Sequence, residues 1–148
     1  MAQHTVYLGL GSNMGNGTEM LNQACQKIEK LIGPIVRQSA YYITEPWGFE
    51  SENDFTNAVV CCQTELSPRR LLRTTQRIEH RLGRTQKTGL DGVYHDRPID
   101  IDILLYDDLH VDEPDLIIPH PRMYIRPFVM EPLSEIMTDD SKNNQDNL

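Results

Sequence analysis

The chain has 148 residues, 39% apolar and 24% charged, which fits one soluble globular domain with room for a buried core. A formal net charge of −8 argues against a general binder of nucleic acid or anionic membrane, and no apolar run approaches the ~20 residues that span a bilayer. Three cysteines (Cys25, Cys61 and Cys62) do not make a disulfide framework and no secretory leader is visible, so a cytoplasmic protein with reduced thiols is expected.

Residues 4–10 (HTVYLGL) alternate as a strand and run into the Gly- and Asn-rich loop GSNMGNG. The GLGSN segment matches neither a P-loop nor a dinucleotide fingerprint and has no basic neighbour, so it reads as a tight turn. Thr18 is placed to cap a helix whose apolar positions Leu21, Ala24, Cys25, Ile28, Leu31 and Ile32 keep the helical period, and Gly33-Pro34 ends it. A strand over 35–44 follows, then the polar loop EPWGFESEND and a strand over 55–65. Cys61 and Cys62 should point to opposite faces of that strand.

Ser67-Pro68 opens a helix to about Leu82, with Leu71, Leu72, Thr75, Ile78 and Leu82 inward. Residues 83–97 are long for a connection, a length usually reserved for functional or disordered segments. The segment 97–106 is a strand, with a short hairpin expected at Asp107-Asp108 and a short helix near 128–137. With no repeat or linker, residues 1–137 read as a single domain and 138–148 as a flexible C-terminal tail. The order β-α-β-β-α-β is that of a ferredoxin-like α+β sandwich, an antiparallel sheet covered by helices on one face.

Three constellations carry chemistry. In RPIDIDILLY (97–106), Ile99, Ile101 and Ile103 share one strand face and Asp100 and Asp102 the other, their Cα atoms about 6–7 Å apart. Two carboxylates at that spacing suit a hard divalent cation that carries phosphates, although a solvated amphipathic strand meets the spacing equally well. The second is the aromatic loop: Trp47 lies between Glu45 and Phe49, and Phe55 and Asn57 open the next strand. Flat faces with an edge amide suit a polar heterocycle.

The third is basic. Eight of the fourteen Lys and Arg residues fall between Arg69 and Arg97, which points to a small polyanion held at one place. Arg84 and Lys87, in the long loop, are better placed for phosphate than Arg69 and Arg70, which read as surface residues at the start of their helix. Downstream, His120, Arg122, Arg126 and Phe128 cluster after a turn, and His and Arg there can donate to phosphate oxygens.

Taken together, GLGSN, YxTEPWG, DFTNAVV (54–60), TQRIEHRLGR (75–84), RPIDIDILLY and PHPRMYIRPFV (119–129) resemble the hydroxymethyldihydropterin pyrophosphokinase family, in its order and spacing. The resemblance implies the ferredoxin-like fold and transfer of pyrophosphate from ATP to 6-hydroxymethyl-7,8-dihydropterin. Two Mg²⁺ ions and ATP as co-substrate come with it, and a monomer is expected. It places the metals on Asp100 and Asp102. The pterin falls to Thr44, Glu45, Trp47, Phe55, Asn57, Asp100 and Phe128, and the nucleotide to Gln76, Glu79, Arg84, Lys87, Arg97, Ile103, His120 and Arg126. Arg84 and Arg97 join the two aspartates as the catalytic set, and loops 45–54 and 83–97 are expected to close over the site. The chain departs from many relatives at Tyr94-His95-Asp96-Arg97, where they carry Trp-Gly-Pro-Arg. It departs again at Asp115 and Pro121, where some have Arg and Tyr beside the nucleotide. A regulatory module of the same fold that binds a small metabolite without chemistry is the alternative reading; an RNA-binding domain is disfavoured by the lack of a basic, aromatic sheet face.

Overall fold

The computed structural model describes residues 3–13, 16–44, 54–83 and 99–146, with side chains through Met137. Among them the order is β1 (His4–Ser12), α1 (Gly17–Leu31), β2 (Ile35–Gln38), β3 (Tyr42–Thr44), β4 (Phe55–Thr64), α2 (Pro68–Arg81), β5 (Asp100–Tyr106), β6 (Val111–Glu113), β7 (Leu116–Ile118), a 3₁₀ turn (Met123–Ile125) and α3 (Pro127–Asp146). The main sheet runs β2-β4-β1-β5, with β3 beside β4, and every pairing is antiparallel. This is the ferredoxin-like arrangement, in which each helical crossover skips the strand between the two it connects.

Alternation on β4, β1 and β5 decides the layers. Val6, Leu8, Leu10, Ala58, Val60, Cys62, Ile101 and Ile103 pack on α1 and α2 through Leu21, Ala24, Ile28, Leu71 and Ile78. Tyr7, Val59, Cys61 and Leu104 face the other way, onto Met123, Val129, Leu133 and Ile136. The expectation of helices on one face is therefore corrected: α3 covers part of the opposite face. A bulge at Leu104, which has no partner between Tyr7↔Leu105 and Leu8↔Ile103, turns Leu104 and Leu105 to the α3 side and returns Tyr106 to the α2 side.

Local chemistry sets several boundaries away from their expected places. Asn16 rather than Thr18 caps α1, its side chain accepting from the N–H of Glu19. Ser67 caps α2 as expected, with Pro68 in the first turn. The strand expected over 35–44 breaks into β2 and β3 because Ser39, 4% exposed, inserts its hydroxyl into the ladder: Oγ accepts the Val59 N–H at 3.0 Å. The freed N–H of Ala40 goes to Glu135 of α3 at 2.8 Å.

Asp107 does not begin a hairpin. It folds back on β1, its N–H donating to the Thr5 carbonyl and its carboxylate accepting the Thr5 N–H, so the hairpin forms later, between β6 and β7. Gly33, at φ 156°, passes so close to the Gln63 carbonyl that a Cβ would stand 1.8 Å from it, which excludes any other residue there.

Ser39→Ala should leave the Val59 N–H without its acceptor and lower stability by about 1–3 kcal/mol in denaturant titration; a loss below a few tenths would show that the ladder repairs itself. Cys62 is buried, and burial pushes its thiol from the usual 9.0 up to about 12. The native state thus favours the protonated thiol. Its contribution is complete below pH 9 and is lost as the pH climbs toward 12. Thiol trapping of the native protein at pH 8 should spare Cys62 and label it only on unfolding; fast native labelling at Cys62 is the contrary result.

Candidate active site

The aspartates of β5 sit on the α3 side of the sheet, the face left open beyond the end of α3's packing. Across the sheet the register forms two rows: Asn57, Gly11 and Asp100 in one, Val59, Gly9 and Asp102 in the next. Because β1 contributes glycine to both rows, it places no side chain of its own between β4 and β5, and Leu104 reaches in beside Gly9. The gap is the floor of a cavity walled by Phe55, Asn57, Asp100, Asp102, Arg126 and Phe128. GLG is therefore strand and floor, not the tight turn expected from its composition. The signal was present: with Val6, Leu8 and Leu10 on one face, period two puts Gly9 and Gly11 on the other.

Asn57, 3% exposed, is oriented by Thr44, whose hydroxyl accepts from Nδ2 at 2.8 Å. β3, which carries Thr44, is anchored in turn by α3, since the Tyr42 hydroxyl donates to Glu135 at 2.6 Å. That carboxylate holds the Tyr42 phenol above its ordinary range. Phe55 and Phe128 present aromatic surface to the same cavity, and the guanidinium of Arg126 lies 5.7 Å from the centre of the Phe128 ring.

Asp102 is flanked by two nitrogen groups. His120 Nε2 is 4.0 Å from Oδ1, and Arg126 Nη1 is 4.0 Å from Oδ2. Both separations exceed a hydrogen bond, so the groups attract without closing on one another. His120 is aimed by its own backbone: its N–H donates to the Leu104 carbonyl, and its Nδ1 accepts from the Arg122 N–H at 3.2 Å. That second bond assigns the neutral ring's proton to Nε2, the atom turned toward Asp102. Arg126 is only 6% exposed, so its charge acts at close range in a poorly solvated setting.

A second cavity, of about 260 Å³, opens at the outer edge of β5 between α2 and the β6–β7 hairpin. Gln76, Ile103 and His120 line it, as do Asp115 and Pro121, the positions where some relatives carry Arg and Tyr; Leu72, Pro114, Leu116 and Ile117 complete its wall. Glu79 does not line it. It is 4% exposed, and its carboxylate accepts the backbone N–H of Ile101 at 2.7 Å. Arg69 proves more than a solvated surface residue: it pairs with Glu113 and, at 2.6 Å, with Asp115, tying the hairpin to α2. Its guanidinium holds the Asp115 carboxyl below the ordinary range. Glu45, Trp47, Arg84, Lys87 and Arg97 lie outside the described residues.

Asp100 and Asp102 are the two carboxylates that line the aromatic cavity. Among the described residues no group of three His, Cys, Asp or Glu side chains converges. Two carboxylates without further protein ligands fit a hard cation that completes its shell with water and a ligand's phosphates, not an all-protein cage.

An antiparallel α+β sandwich whose sheet carries an aromatic-walled cavity, an edge cavity and a carboxylate flanked by His120 and Arg126 defines the class: a ferredoxin-like α+β protein. Residues 7–138 match the family model described as 7,8-dihydro-6-hydroxymethylpterin-pyrophosphokinase (HPPK), and the chain belongs to that family. It is 51% identical over 132 residues to a 2-amino-4-hydroxy-6-hydroxymethyldihydropteridine pyrophosphokinase of Porphyromonas gingivalis, covering 88% of this chain and 89% of that one. With the Bacillus subtilis protein of the same description it shares 40% over 131 residues, 88% and 76% of the two chains.

Among solved structures, an HPPK-DHPS in complex with substrates superposes with a TM-score of 0.71 at 14% identity, over 92% of this chain and 40% of that chain. An HPPK-DHPS of Plasmodium falciparum gives 0.66 at 17%, over 87% and 40%. This chain thus spans about two fifths of those structures, and at such identity they bear on the fold.

A Cβ on Gly11 would stand 3.2 Å from Asn57 Oδ1 and 3.7 Å from Phe55. Gly11→Ala should therefore push the Asn57 amide off Thr44 at a cost of about 1 kcal/mol. Denaturant titration and the Asn57 side-chain amide resonance would register it, and an unmoved resonance would contradict the packing argument.

Proposed function

We propose that this chain transfers the pyrophosphoryl group of ATP to the hydroxymethyl group of 6-hydroxymethyl-7,8-dihydropterin, giving AMP and the pterin pyrophosphate, as an ATP-dependent diphosphotransferase of folate biosynthesis. Beyond family membership, one observation carries the reading: Asp102 lines both the aromatic cavity and the edge cavity. A carboxylate shared by two pockets is where a ring alcohol and a triphosphate have to meet.

In this reading the pterin lies over Gly9 and Gly11, its ring against Phe55 and Phe128 and its edge on the fixed amide of Asn57, with Thr44, Glu45 and Trp47 completing the pocket. The nucleotide occupies the edge cavity beside Gln76 and Ile103. Arg126 and His120 donate to phosphate oxygens, joined by Arg84, Lys87 and Arg97. The hydroxymethyl oxygen bonds to the β-phosphorus, the bond from that phosphorus to the α,β-bridging oxygen breaks, AMP departs with the electron pair, and the hydroxyl proton is released. Two Mg²⁺ ions on Asp100 and Asp102 would supply charge neutralisation of the phosphates and polarisation of the alcohol. The residues' own contribution is alignment and electrostatics: two substrates held in line, with cationic donors fixed before the reaction starts.

The domain assigned to this reaction is 1–137; the helix expected near 128–137 runs on as α3 to Asp146, through most of the segment expected to be a flexible tail. We place the enzyme in the cytoplasm as a monomer; no helix among the described residues is long and apolar enough to cross a membrane.

Incubation with Mg²⁺, ATP and the hydroxymethylpterin should release AMP only when the pterin is present; folded protein that releases none would return the chain to a metabolite-binding module. Asp102→Ala should keep the fold by circular dichroism and lower turnover by more than about a hundredfold. Arg84→Ala should reduce kcat far more than the affinity for either substrate. A change confined to KM would make Arg84 a uniform binder.

A further inference from the structure

Glu79 is set apart from the other groups near the nucleotide. Gln76, one helical turn earlier, lines the edge cavity, whereas Glu79 lies behind it, turned inward beneath β5. The residue whose N–H it accepts, Ile101, stands between Asp100 and Asp102. β5 is the last strand of the main sheet, paired with β1 alone in the strand order. The Ile101 N–H therefore points to an edge where, among the described residues, no neighbouring strand supplies a carbonyl. Further along that strand the Leu104 carbonyl also accepts from outside the main sheet, from the His120 N–H.

We propose that Glu79 is a positioning residue for the aspartate pair rather than a contact of the nucleotide. Its carboxylate takes the place of a missing strand and pins the one peptide that lies between the two ligands. An ionised acceptor bonds a backbone N–H roughly twice as strongly as a neutral one. The bond also spans from α2 to β5, so the spacing of the two carboxylates is set by the helix as well as by β1. A site tuned for charge placement needs its ligands held within about 0.5 Å, and a side chain of this kind is how such precision is reached. The inference rests on the reading that Asp100 and Asp102 hold the metal.

Three variants test it: Glu79→Gln, which keeps an acceptor oxygen, Glu79→Met, which has none, and Glu79→Asp, whose carboxylate is one methylene too short. The readouts are hydrogen exchange at the Ile101 amide, Mn²⁺ affinity by electron paramagnetic resonance with a non-hydrolysable ATP analogue, and affinity for the same analogue in EDTA. Glu79→Met should speed exchange at Ile101 and weaken Mn²⁺ binding about 10–100-fold, while affinity in EDTA stays within about twofold. Glu79→Gln should recover most of both losses. If Glu79→Met does not fold, Glu79→Asp is expected to show the same pattern.

Loss of affinity in EDTA equal to that with Mn²⁺ would make Glu79 a nucleotide contact and overturn the proposal. Unchanged Mn²⁺ binding despite fast exchange at Ile101 would overturn it too, leaving only a structural bond. Asp102→Asn serves as the reference: if it leaves Mn²⁺ binding intact, the metal reading itself fails, an outcome separate from either result at Glu79.

Discussion

The site depends on a strand that has two characters at once. β1 is buried on both faces, yet one face is built from Val6, Leu8 and Leu10 and the other carries Gly9 and Gly11. The branched face anchors the sheet to α1 and α2. The glycine face clears a trough between β4 and β5, so that Asn57 and Asp100 face each other across nothing but backbone. A Cβ at Gly11 would crowd Asn57, and one at Gly9 would press on Leu104. Fold stability and binding are thus written on alternate residues of the same nine-residue strand, and neither can drift in register without moving the other.

The electrostatics follow the same economy. Asp102, Arg126 and His120 form a set of charged or polar groups in which no pair closes to hydrogen-bond distance. His120 and Arg126 each stand 4.0 Å from Asp102, and the His120 N–H on the Leu104 carbonyl and the Arg126 N–H on the Met123 carbonyl fix the backbone that carries them. The surroundings keep them in place before any ligand comes, so little reorganisation is left for the reaction itself.

Much of this was readable from residues alone. The strand character of 100–106, the facing of its aspartates, the Ser67-Pro68 helix start and the β-α-β-β-α-β order all come from local period and capping chemistry. The features that escaped come from groups far apart in sequence. The break at Ser39 needs Val59 from β4 and Glu135 from α3. The role of Arg69 needs a hairpin more than forty residues downstream. The inward turn of Glu79 needs the edge of β5. GLGSN misled for a different reason, since glycine composition outweighed an alternation that was already present. The match of six motifs in family order identified the ligands far more sharply than the spacing of two carboxylates, which an ordinary strand also satisfies.

The two pockets are fastened by different kinds of bond. On the aromatic side Asn57 is held by an amide–hydroxyl contact and β3 by a phenol–carboxylate contact, both part-buried. On the edge side the β6–β7 hairpin is tied to α2 by Arg69 through two exposed carboxylates. Solvent ions weaken attractions of the second kind, with a screening distance of about 8 Å at physiological ionic strength, and hardly touch the first. The two walls therefore answer differently to the salt around the molecule: the ring pocket keeps its shape, while the outer wall of the edge cavity loosens, easing passage into and out of that half alone.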